Sequence, residues 1–281
     1  LTRSRSLSAI AALSVLSATS AAAAAALQSA DERIDDRRQL FAAVYAEARK
    51  GNWEPARAAA GELSDYALWP DLRAAWLQAT IRRAEAETVE NFLREYAHLP
   101  PARRLAYRWI RELARRGDWP RFLTLYAERY ADAGITRLDC QAARARRLAE
   151  PGHRYGEADV ERLWLSGRSQ PRECDPVFDE MRSAGLLDAE RYRQRFELAI
   201  DAREFRLARY LARQLDDASQ REAAAWLAMQ DDPARELVRL DPADANDATR
   251  ARILWGVQAL ARRDPAYAAE LWRRLAPSLG V

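Results

Sequence analysis

The sequence predicts an all-α chain, an irregular right-handed α-superhelix of stacked antiparallel helix pairs. Three observations carry that prediction. From Asp31 onward apolar residues recur at the 3.6-residue period of a helix, and no period-2 alternation marks a strand. The composition is helical, with 49% apolar residues, abundant alanine and only 10 glycines in 281 residues. Finally, a short joint of basic residues, a turn and an aromatic recurs along the chain, as expected where one helix hands over to the next.

The first 26 residues differ in kind from the rest. Arg3 and Arg5 precede an apolar run from Leu7 to Leu16, and small residues follow from Ala18 to Ala26. This reads as a secretory signal peptide, because the apolar run is far short of the ~20 residues that a spanning helix needs. Residues 1–26 are therefore expected to be a leader, with no stable membrane insertion and a periplasmic destination. Residues 27–281 are expected to form one α-superhelical scaffold domain.

Within that domain the helical stripes follow one another. Phe41, Val44, Tyr45 and Ala48 form the first, then Leu105, Trp109, Ile110 and Leu113, then Phe122, Leu125 and Tyr126. Tyr192, Phe196, Ala199 and Ile200 form another, and Ile253, Leu254, Val257 and Leu260 close the series. Glu150 to Gly156 reads as a loop between helices, because periodicity resumes at Val160, Leu163 and Trp164.

The joints are Arg49-Lys50-Gly51-Asn52-Trp53, Arg115-Arg116-Gly117-Asp118-Trp119 and Ala202-Arg203-Glu204-Phe205, with Arg262-Arg263-Asp264-Pro265 as a looser version. Basic side chains suit the negative end of a helix, glycine supplies the left-handed cap, and Asn52 or Asp118 can cap the next helix. Trp53, Trp119 and Phe205 are expected to wedge between paired helices, with Trp119 buried. They are 66 and 86 residues apart by their numbering. That spacing fits hairpins with insertions better than the roughly 34-residue period of a tetratricopeptide array. Hairpins of this kind bury their apolar faces only by stacking.

Charge and motif arguments exclude several functions. Without Arg3 and Arg5 the chain keeps 43 basic against 42 acidic residues, so the sequence pI near 9.0 is weak evidence for nucleic acid, and none is expected as a partner. Lys50 is the single lysine, and the arginines are scattered among acids as on solvated helix faces. His98 and His153 are the only histidines and neither has a second ligand at metal spacing. No nucleophile elbow or phosphate loop occurs. No catalytic, metal or cofactor site is therefore assigned. Arg116-Gly117-Asp118 spells an adhesion tripeptide, but the joint already explains all three residues. Of the nine tryptophans, Trp109, Trp119, Trp164, Trp226 and Trp255 read as core, whereas Trp69 and Trp272 are less determined. Cys140 and Cys174 are the only cysteines; in an exported protein they form either a disulfide or two buried thiols.

Two stretches are more specific. Leu163-Trp-Leu-Ser-Gly-Arg-Ser-Gln-Pro-Arg-Glu-Cys174, with Asp175 and Phe178 after it, resembles the soluble lytic murein transglycosylases of Gram-negative bacteria. Leu99-Pro-Pro-Ala-Arg-Arg-Leu105, continuing through Glu112 to Trp119, resembles the same family in the same order. The resemblance runs from about Arg37 and weakens after about Asp216. It implies a long helical domain, curled into a ring or horseshoe, that precedes a lysozyme-like catalytic domain. It also tips the two cysteines toward a disulfide.

In that family a single glutamate followed by serine protonates the glycosidic oxygen and then lets the muramyl 6-hydroxyl close a 1,6-anhydro ring, unlike two-carboxylate hydrolysis. A Gly-Leu-Met-Gln stretch follows downstream. This chain contains no Glu-Ser pair, and Met181 and Met229 stand in other contexts. The expectation is thus a scaffold, incomplete at its C-terminus and inactive alone, with the catalytic domain outside these 281 residues. The partners implied are peptidoglycan glycan strands and that domain. The alternative is a periplasmic helical-repeat adaptor that binds protein partners and has no enzymatic domain.

Overall fold

The computed structural model describes residue 28, residues 32–240 and residues 246–279; the leader expected over 1–26 lies outside them. Among the described residues there are helices and turns but no strand. The chain divides into two compact units, one ending at Asp118 and one beginning at Trp119.

The first unit holds α1 (32–49), the short α2 (Glu54–Ala58) and α3 (Ala60–Leu63), then α4 (Trp69–Thr80), α5 (Ala86–Glu95) and α6 (Pro100–Arg116). Val44 and Ala48 of α1 bury against Ala56, Leu63 and Leu72. α6 presents Leu105, Trp109, Ile110 and Leu113 inward, each at most 1% exposed, and packs on α4 and α5. Proline at its first position suits a helix start, where the missing N–H would have no partner.

The second unit runs through α7 (Trp119–Arg129), α8 (Thr136–Ala149), the single turn α9 (Glu157–Asp159), a π-turn (Val160–Trp164) and a 3-10 turn (Arg172–Cys174). It continues with α10 (Asp175–Ser183), α11 (Ala189–Asp201), α12 (Phe205–Ala212), α13 (Asp217–Asp231), α14 (Pro233–Arg239), α15 (Asp247–Ala261) and α16 (Pro265–Leu279). Neighbours in sequence pair, α7 with α8, α11 with α12 and α15 with α16. Asp188, Asp216, Asp232, Asn246 and Asp264 each accept a backbone N–H three residues on, at 2.9 to 3.1 Å, and so cap the starts of α11, α13, α14, α15 and α16. Each such cap contributes about 1 kcal/mol.

The joints share one geometry. Asn52 N–H donates to Glu47 O, Asp118 N–H to Leu113 O and Glu204 N–H to Ala199 O, each bond spanning five residues. The residue before the donor is left-handed: Gly51 at φ +88°, Gly117 at +72° and Arg203 at +60°. A fourth joint of this form, Leu186 N–H to Met181 O around Gly185 at φ +74°, has no aromatic after it, the sign by which the others are recognised in sequence. The looser joint at Arg263 closes without a left-handed residue.

Three expectations need correction. Trp119 is half-buried, not buried, because it opens α7 with Phe122 packed edge-on against it one turn ahead, at 6.0 Å between ring centroids. Trp226 and Trp255 are likewise half-buried, whereas Trp109 and Trp164 are core residues. Leu254 is 42% exposed, since the buried line of α15 runs through Ile253, Gly256 and Leu260.

Candidate functional site

The diagnostic segment 163–174 folds into a tightly held knot in the second unit. Trp164, at the end of the π-turn, sits edge-on between Phe178 and Tyr192 with centroids 5.1 and 5.0 Å away, and its indole N–H donates to Arg191 O at 3.2 Å. Cys140 of α8 and Cys174 of the 3-10 turn are disulfide-bonded with Cα atoms 5.0 Å apart, inside the range a bridge requires. Gly167 lies so close to α11 that a Cβ there would stand 2.2 Å from Leu198 O, so only glycine fits without movement. Arg195, 4% exposed, spreads its guanidinium over Trp164 at 4.1 Å and Phe178 at 5.3 Å, and its Nε has no hydrogen-bond partner. Burial alone holds its pKa down to about 10.

A second cluster joins α7, α8 and the π-turn. The Tyr126 hydroxyl donates to Asp139 Oδ1 at 2.6 Å, and Arg162 donates to Asp139 Oδ1 at 2.7 Å and to the Tyr126 hydroxyl. Burial first, then the Asp139 carboxylate, pushes the phenol up to about 12. A phenol so placed keeps its proton at neutral pH, and the carboxylate is occupied by two donors, so the cluster is a structural clasp. Sequence reading found Tyr126 only as a core position, because its partners lie 13 and 36 residues away and carry no motif.

In the first unit Glu112 of α6 is buried and accepts from Arg115 at 2.7 and 2.6 Å and from Arg116 at 2.8 Å. Arg116 also donates to Ile81 O and Ala84 O at 2.8 and 3.0 Å, pinning α6 to the turn after α4. The bonds from Arg115, with those from Arg116, hold the Glu112 carboxyl below the usual range although burial opposes them. Beside this network Tyr45, Asp71, Gln78, Arg49, Arg104 and Arg108 line a cleft of about 280 Å³. Arg104 reaches Asp71 at 3.5 Å; Arg49 and Arg108 have no carboxylate partner among the described residues, so the cleft is cationic.

The predicted joint aromatics fall beside grooves. Trp53, half-buried, packs on Trp69 and Trp76 at 5.7 and 4.9 Å and lines a groove of about 560 Å³ with Asn52, Thr80 and Glu85. Phe205, half-buried, stands edge-on to Trp255 at 5.8 Å in another cleft. The carboxyls displaced from their ordinary pKa, Glu47, Glu95, Glu112, Glu190 and Asp216, are all lowered. A general acid working near neutrality needs the opposite shift. Among the described residues no group of three or more acidic, histidine or cysteine side chains could hold a metal, and no helix is long and apolar enough to cross a membrane.

Stapled helical hairpins whose polar clusters lock elements together, and whose clefts are lined by arginine and aromatic side chains, define an all-helical protein of stacked helix pairs. By sequence and by fold this chain is homologous to the soluble lytic murein transglycosylases. It is 34% identical over 217 residues, 77% of its length, to the soluble lytic murein transglycosylase of Escherichia coli K12, and 33% identical over the same span to that of Salmonella typhimurium. It spans about a third of those relatives, 32% of each. Among solved structures, the lytic transglycosylase Slt of Pseudomonas aeruginosa, in an inactive mutant, superposes with a TM-score of 0.69 at 33% identity, over 85% of this chain and 38% of that one. The 70-kDa soluble lytic transglycosylase of Escherichia coli does so at 0.68 and 28% identity, over 88% and 39%; a complex of the 70-kDa soluble lytic transglycosylase with bulgecin A gives 0.69 and 29%. No protein-family model matches the chain.

Proposed function

We propose that this chain is the helical part of an exported, murein-degrading lytic transglycosylase, and that it holds peptidoglycan strands while supporting a catalytic domain outside these 281 residues. The whole enzyme would cleave the β-1,4 bond between N-acetylmuramic acid and N-acetylglucosamine without water, leaving a 1,6-anhydro-muramyl end. The observation that carries this reading is the 34% identity over 217 residues to a soluble lytic murein transglycosylase. Two further features support the division of labour: the sequence holds no Glu-Ser pair, and the carboxyls displaced from their ordinary pKa among the described residues are lowered. A periplasmic adaptor would share the hairpin repeats, but the homology favours the enzyme.

Holding murein is a task for cationic, aromatic-lined clefts, because the stem peptides carry carboxylates and sugar rings offer flat apolar faces. Co-sedimentation with purified murein sacculi tests the reading. The chain should pellet with sacculi at low ionic strength and be released as salt shortens the Debye length below about 8 Å. A chain that stays in the supernatant at low salt has no holding role.

A further inference from the structure

We propose that the cleft around Arg203 and Trp255 in the second unit is a subsite for a muropeptide, taking a sugar ring on its aromatic wall and a stem-peptide carboxylate on its arginines. The proposal rests on the murein reading above and gives it a location. Trp255 and Phe205 form the wall, Gln230 adds an amide, and Arg203, Arg262 and Arg263 surround them, enclosing about 240 Å³. That is below the ~300 to 1,000 Å³ of drug-sized sites, so it suits one ring with its substituent and not a glycan strand.

Arg203, Arg262 and Arg263 line one cleft, and none has a carboxylate partner among the described residues, whereas Arg193, Arg209 and Arg235 nearby in sequence are all ion-paired. The Arg203 guanidinium carbon lies 5.9 Å from the Trp255 centroid, close enough for the ring face to orient it while leaving its N–H groups free for an anion. A planar indole beside such donors is the combination that recognises an acidic sugar derivative.

Four helix ends share the same five-residue hydrogen bond, and glycine holds the left-handed position in three of them: Gly51, Gly117 and Gly185. At the fourth the residue is Arg203, the only non-glycine with positive φ among the described residues. Nothing in the turn itself calls for a side chain there, and a Cβ in this conformation is strained. Strain of this kind persists where the side chain serves a function. Here the side chain reaches Trp255.

This relationship supplies a discriminating variant. Arg203→Gly relieves the backbone and removes the guanidinium, so it should raise the melting midpoint while weakening the ligand; Arg262→Ala/Arg263→Ala removes the other two without touching the aromatic packing. The probe is N-acetylmuramoyl-L-alanyl-D-glutamate, titrated into the full chain by calorimetry, beside the L-alanyl-D-glutamate peptide alone and neutral chitotriose. The wild-type chain should bind the muramoyl peptide in preference to both controls, and each variant should lose about tenfold in affinity, the loss of roughly one charge-assisted hydrogen bond. Unchanged binding in both variants overturns the subsite and leaves the murein reading standing if sacculi still retain the chain. Equal binding of the peptide alone overturns the aromatic platform. If the wild-type chain binds neither the probe nor sacculi, the murein reading falls and the subsite with it.

Discussion

The Arg195 guanidinium carbon lies 4.1 Å from the centroid of the Trp164 ring, and no carboxylate among the described residues balances its charge. The Nε is orphaned, and Nη2 donates a long hydrogen bond to Arg168 O at 3.5 Å. Burial holds the group down to about 10, and the electrostatic influence of Tyr192 and Tyr210 offsets it only in part. For a base lowered in the folded state the sign is unfavourable: the charged form is penalised at every pH below 10, and the penalty lifts only above it.

Arg195→Met keeps the length and removes the charge. At pH 7 the variant should be as stable as the parent or more stable, by up to about 2 kcal/mol. Denaturant titration measures this, and a loss of more than about 2 kcal/mol would mean that stacking on Trp164 outweighs the desolvation.

Gly167 is the one residue of the diagnostic segment whose side chain is forbidden by backbone. A Cβ would stand 2.2 and 2.7 Å from Leu198 O and C, atoms that move only with α11. Gly167→Ala should therefore cost about 3 kcal/mol. Gly61, inside α3, is the control: a Cβ there would meet nothing within 4 Å, and alanine should gain about 0.5 to 1 kcal/mol. Equal midpoints for the two variants would show that the loop yields freely.

Glu112 gives the pH dependence. Its carboxyl is lowered chiefly by Arg115 and then Arg116, so its contribution is present above the unfolded value near 4.3 and fades as pH falls through the folded value. Glu112→Gln should cost about 1 to 3 kcal/mol at pH 7, toward the low end because Arg115 is 57% exposed. The difference from wild type should shrink by pH 3. A difference that stays constant between pH 7 and pH 3 would place the effect in packing instead of charge.

How much of the fold and of the clefts is legible in sequence depends on the separation of the interacting residues. The joints at Gly51, Gly117 and Arg203 are readable because capping chemistry is local: basic residues, a turn and an aromatic lie within five consecutive positions. The joint at Gly185 lacks the aromatic and escapes such a reading, and the π-turn before Trp164 has no local sign at all. Helical stripes locate Trp109 and Tyr126, but a stripe states a face and not its depth, so Leu254 lies shallower than its stripe suggests, as Trp119 does at its joint. The Tyr126–Asp139–Arg162 clasp and the Arg203–Trp255 cleft join residues from separate elements, up to 36 and 52 positions apart, which no single-sequence pattern reports.

Under the proposed function, this chain holds murein but does not cleave it. Incubating the purified chain with sacculi and analysing the soluble fraction by mass spectrometry for 1,6-anhydro-muropeptides tests it most directly. None should appear above a blank, because the sequence holds no Glu-Ser pair and the carboxyls displaced from their ordinary pKa among the described residues are lowered, not raised. Anhydro-muropeptides released in proportion to the chain added would contradict it, and would put the catalytic glutamate inside these 281 residues.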